Sequence, residues 1–146
     1  MLRRAAALIY FSQKRRTVER NDGGWYASTI NKYVTCGDEQ TYRKNFRVTK
    51  ATLLDISERL KSAGYVMDND RKCTPLAKRQ TSLFKVAVCM YYLAAGGETR
   101  VVGDAAGIGA STVELYLEQF CNGVLKVLKP IYMKVTPPSS ILTICS

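Results

Sequence analysis

The placement of apolar and polar side chains divides the chain into an N-terminal stretch without a sustained period and a series of helical segments behind it. Thr49 is placed to cap a helix whose Leu53, Leu54, Ile56 and Leu60 supply an apolar side before Gly64 ends it. Residues 63–81 form a polar, basic connection, with Pro75 blocking a continuous helix. Residues 83–95 are apolar almost all round and stop at Gly96-Gly97, a pattern that belongs at the centre of a bundle. Residues 25–45 show no such period, and Trp25, Tyr33 and Tyr42 are read there as anchors onto the folded part.

The segment after Gly97 is the most informative. Thr99 can cap a short helix through Ala106, with Val101, Val102, Ala105 and Ala106 on its apolar side and Gly107 as a left-handed stop. Ile108-Gly109-Ala110 makes the link. Ser111 with Glu114 three residues on reads as a capping box starting a long helix. Along it Val113, Leu117, Phe120, Val124 and Leu128 recur on one face, and Pro130 is expected to close it. Two helices joined by a glycine turn predict a helix-turn-helix, whose second helix can enter a DNA major groove. Gly103 leaves room for the second helix to approach, and Ile108 and Val113 lock the pair.

Charge changes the picture. The chain carries a net +10, favouring polyanionic partners, and the excess is N-terminal: +7 in residues 1–50 against +1 in residues 81–146. If the helix-turn-helix docks on DNA, its exposed reading positions are Ser111, Thr112, Leu115 and Gln119, with Arg100 reaching a phosphate. Arg71, Lys72, Lys78 and Arg79 of the basic connection supply further phosphate contacts. The second helix itself brings Glu114 and Glu118 and no cation, since no Lys or Arg lies between Arg100 and Lys126.

Other chemistry is bounded by absences. There is no histidine and no Cys-x-x-Cys pair among the five cysteines, which excludes a zinc finger; Cys89 and Cys121 are expected in the core. No acidic residue follows Glu118, so no catalytic residue, metal site or cofactor is assigned. The longest apolar stretch is interrupted by Lys85 and too short to cross a membrane.

The string Phe46-Arg47-Val48-Thr49, then residues 85–94 (KVAVCMYYLA), then Gly97-Glu98-Thr99-Arg100-Val101-Val102-Gly103 and Gly107-Ile108-Gly109-Ala110-Ser111-Thr112-Val113 resembles the helix-turn-helix region of PIF/Harbinger-type transposases and their nuclease-like derivatives. The resemblance covers residues 46–137 and implies a nuclear, DNA-associated protein whose relatives continue into a nuclease domain with a carboxylate metal site. It also implies a departure, because relatives carry Lys or Arg where this chain has Ala110.

The resulting expectation is an all-α protein: a basic arm at residues 1–45, partly ordered, a helix-turn-helix bundle at 46–137 and a tail at 138–146. Its expected function is non-catalytic binding of double-stranded DNA in the nucleus, as a truncated transposase-derived protein. The alternative is a protein-interaction or homodimerisation module, located in the nucleus or the cytoplasm, with little or no DNA binding.

Overall fold

The computed structural model describes residues 24–68 and 80–133, and every regular element among them is helical. A 3₁₀ turn, Gly24–Ala27, leads into α1 (Thr29–Cys36) and α2 (Glu39–Phe46). There follow α3 (Lys50–Ser62), α4 (Ser82–Ala95), α5 (Thr99–Ala106) and α6 (Ala110–Gly123). The last helix continues through a π-helical stretch, Val124–Leu128, into a final turn, α7 (Lys129–Tyr132). The all-α expectation therefore holds.

Helix α4 is the centre. Phe84, Val86, Ala87, Val88 and Cys89 are all buried, and α1, α2, α3, α5 and α6 each pack against it. An apolar surface on every side is what such a position demands, which is why this helix shows no polar face. Around it, Leu53 and Leu60 of α3, Val102 and Ala106 of α5, and Val113, Tyr116 and Phe120 of α6 complete one contiguous core. Leu54, expected on the apolar side of α3, is instead exposed.

The stretch left without a period in the sequence is folded into this core. Ser28 and Asp38 start α1 and α2 by accepting from the Asn31 and Thr41 amides at 3.1 and 2.8 Å. Ile30, Val34, Tyr42 and Phe46 are buried, and the Tyr42 hydroxyl donates to the Val34 carbonyl at 2.7 Å, tying the two short helices together. Trp25 lies against Phe84, ring centroids 4.9 Å apart, so the anchoring role expected of the aromatics is met by packing on α4.

Pro130 does not end the last helix. A proline inside a helix lacks the N–H and crowds the carbonyl four residues back, and here the backbone widens just before it, the Lys129 amide donating to the Val124 carbonyl five residues earlier. The helix passes Pro130 and runs to Tyr132. Cys89 is buried, with its thiol pushed above the ordinary range by desolvation, but Cys121 is exposed rather than in the core. It lies at the edge of the packed face of α6, beside the buried positions Val113, Tyr116 and Phe120 rather than among them.

One clasp closes the chain across residues 69–79. Asp68 accepts from the Ser82 amide at 2.6 Å, at the start of α4, and from Lys61 Nζ at 2.7 Å. Beside it, Lys85 is 6% exposed and its ammonium donates to the Met67 carbonyl at 2.6 Å while lying over the Tyr116 ring. The Tyr116 hydroxyl in turn bonds Gln80. Burial pushes the Lys85 pKa down, with the Asp68 charge acting in the opposite direction.

Candidate nucleic-acid interface

Helices α5 and α6 form the expected pair. Helix α5 ends at Gly107 in the left-handed region, φ +68°, with the Gly107 amide reaching the Asp104 carbonyl and the Ile108 amide reaching the Gly103 carbonyl at 3.0 Å. At Gly103 an added Cβ would stand 2.8 Å from the Ile108 carbonyl oxygen. The tight turn requires a residue without a side chain there. At Gly107 a Cβ would run into the Gly24 carbonyl and come within 2.9 Å of the Trp25 amide nitrogen, because the 3₁₀ turn crosses directly over it. Val113 is fully buried and Ile108 packs against the core, so both serve to lock the pair as expected.

The two helix starts differ from expectation. The cap position of α5 is Glu98, not Thr99, and its side chain makes no cap bond. Helix α6 begins at Ala110 with Gly109 as its cap, so Ser111 lies inside the first turn and the Ser111–Glu114 capping box is not made. Glu114 instead accepts from the Thr99 hydroxyl at 3.4 Å, a bond across the two helices. The cause is the short turn: the Val113 amide reaches the Gly109 carbonyl at 3.1 Å, so the first helical turn starts two residues before Ser111.

Ser111 and Leu115 are exposed on α6, Leu115 by 49%, while Thr112 and Gln119 are half-buried. Arg100 is exposed on the first turn of α5. Arg71, Lys72, Lys78 and Arg79 lie outside the described residues, as do the basic positions before Gly24. The exposed charge of the helix pair is thus Arg100 against Glu98, Asp104, Glu114 and Glu118, an acidic surface.

Cations gather elsewhere. Arg43 and Lys44 on the last turn of α2, Arg47 at its end and Lys50 at the start of α3 are all exposed. Arg47 sits in the left-handed region at φ +60°, the one non-glycine residue with positive φ among the described residues. Glu39 belongs to the same corner: its carboxylate lies 3.6 Å from Arg43 Nε and accepts from the Lys50 amide at 3.4 Å. The Lys50 ammonium stands 5.9 Å from the centre of the Tyr42 ring. The sequence shows these cations as part of the N-terminal excess but does not gather them, because α2 has no sustained period to mark it as a helix. The Asp38-x-x-Thr41 cap and the i, i+4 pair Tyr42 and Phe46 are the signals that would have found it.

Among the described residues no three Cys, Asp or Glu side chains gather closely enough to hold a metal ion, and no helix is long and apolar enough to cross a membrane. The arrangement defines a helical bundle with a glycine-tuned helix-turn-helix on one side and a cationic helix corner on α2 and α3. No protein-family model, no curated protein and no solved structure matches the chain.

Proposed function

We propose that the chain is a non-catalytic, nuclear DNA-binding protein of transposase-derived type, in which α6 presents Ser111, Thr112, Leu115 and Gln119 to a duplex. The observation that carries the reading is the turn: Gly103 and Gly107 let α5 and α6 approach as a helix-turn-helix requires, and the start of α6 faces outward. The resemblance of residues 46–137 to Harbinger-type transposases supports it. Fluorescence anisotropy on labelled duplexes at several salt concentrations tests it. Affinity should fall with a log–log slope proportional to the phosphates contacted, Thr112→Ala with Gln119→Ala should weaken binding, and Ala110→Lys should strengthen it by about 1 kcal/mol. Supercoiled plasmid with Mg²⁺ or Mn²⁺ should stay intact. Absence of salt-dependent binding at low salt would overturn the reading.

A second reading, a protein-interaction or dimerisation module, has its own observation. Leu125, Ile131 and Tyr132 are exposed on the terminal helix and Met133 just beyond it, and Tyr132 joins Ala51, Ile56 and Leu128 in lining a groove against α3. The acidic face of α6 suits this reading too. A concentration-dependent mass in sedimentation, abolished by Ile131→Glu, is its signature.

A further inference from the structure

We infer that, among the described residues, the corner between α2 and α3, and not the helix-turn-helix, is where the chain grips the phosphates of a duplex, through Lys44 and Arg47 with Arg43 and Lys50 beside them. This rests on the DNA-binding reading and assigns a division of labour within it. DNA affinity is dominated by cations that displace counterions from phosphates, and α6 has none to offer, since no Lys or Arg lies between Arg100 and Lys126. At the corner four cations fall within eight consecutive positions, against Glu39 and against Asp38, which lines a shallow pocket with Lys44 while bonded to Thr41. Lys44 and Arg47 form no ion pair with any described residue.

The backbone supplies an independent argument. A left-handed position favours glycine or asparagine, and the ends of α4 and α5 follow that preference with Gly96 and Gly107. The end of α2 holds an arginine in the same conformation, exposed to solvent and making no hydrogen bond to any described residue that would repay the strain. Strain kept at an exposed charged residue points to what its side chain does outside the fold. The partner's chemistry follows from the surroundings: one exposed large apolar side chain, Leu54, stands a helical turn past Lys50, and none accompanies Arg43, Lys44 or Arg47 between Tyr26 and Leu54. A membrane-surface site would set such side chains among its cations, whereas a phosphodiester backbone requires only charge and hydrogen-bond donors.

The experiment compares the whole chain with two charge-matched double variants on one labelled duplex, by anisotropy across a salt series. Lys44→Gln with Arg47→Gly removes two corner cations. Lys126→Gln with Lys129→Gln removes two exposed cations from the terminal helix. The corner variant should lower the log–log salt slope by about 0.9 for each lost phosphate contact, close to 1.8 for the pair, and the terminal variant should change it far less. Thermal melts accompany the titrations, and Arg47→Gly alone should melt at or above the parent while binding more weakly, the pairing expected of a strained functional residue. Lys44→Gln alone, on an exposed helical position, gives a slope change that does not depend on the altered backbone. Equal slopes for the two double variants, with the parent binding normally, would overturn the corner assignment and leave the DNA reading standing. No binding by the parent at low salt would overturn both, and tighter binding to poly-glutamate than to the duplex would replace DNA by an acidic protein partner.

Discussion

Helices α2 and α5 both finish on a residue with φ near +60°, yet the first closes on Arg47 and the second on Gly107. At Gly107 the backbone of Gly24 and Trp25 crosses so closely that no side chain fits, whatever the conformation. At Arg47 the position is exposed, and only the intrinsic strain of the left-handed region resists a side chain. Gly96, at the end of α4, separates the two effects, because it shares the conformation but has open space where a Cβ would go. Steric contact fixes the residue in the helix-turn-helix, while at the corner the fold leaves the choice free and charge has filled it. Shape and charge are consequently carried by different parts of the molecule.

The comparison is sharpest where both penalties act. Gly107→Val should combine left-handed strain of roughly 1–2 kcal/mol with an overpacking cost typically about 1–3 kcal/mol, lowering the melting midpoint by on the order of 10 °C. An unchanged midpoint would remove the basis for the turn. Gly103→Ala adds no left-handed strain but drives a Cβ against the Ile108 carbonyl, and should cost about 1–3 kcal/mol by overpacking alone. Gly96→Ala meets nothing, so denaturant titration should register only the conformational cost, about 1 kcal/mol; a loss as large as that of Gly107→Val would mean that strain and steric contact are not separable at these positions. Arg47→Gly runs the comparison backwards. Relief of strain is partly offset by the greater freedom of glycine in the unfolded chain, leaving a gain of about 0.5 kcal/mol or less.

These contrasts also explain what could be read in the sequence. Helix α3 is legible because a Thr cap, apolar positions and a glycine stop coincide, and helix α4 because its long apolar run halts at Gly96. The turn was legible for the same reason, since Gly107 takes the one conformation in which glycine is preferred. Helices α1 and α2 were not. Each has eight residues, and α2, EQTYRKNF, hides its core contribution in two aromatics among polar neighbours. The Ser111–Glu114 pair matched a capping pattern, but the length of the turn, set by tertiary contact, placed the helix start at Ala110. Pro130 read as a stop because local rules do not anticipate a π-helical widening that accommodates it. Of the candidate site, Ser111, Leu115 and Arg100 lie outward as a reading face needs. The grouping of the corner cations is not legible because it depends on α2, whose end the sequence does not reveal.

The Asp68 clasp has a consequence for how the fold responds to protons. Its carboxyl is held below its usual range, first by the Lys61 ammonium, with burial opposing and the Ser82 amide assisting. A carboxyl whose folded pKa lies below its unfolded value contributes stability above the unfolded value, near pH 3.9, and loses that contribution as pH falls through the folded one. Acid therefore weakens the charge-assisted tie between the start of α4 and the chain that precedes residues 69–79. Because α4 is the wall on which the other helices pack, protonation at this one partly exposed carboxyl acts on the centre of the bundle rather than on its rim.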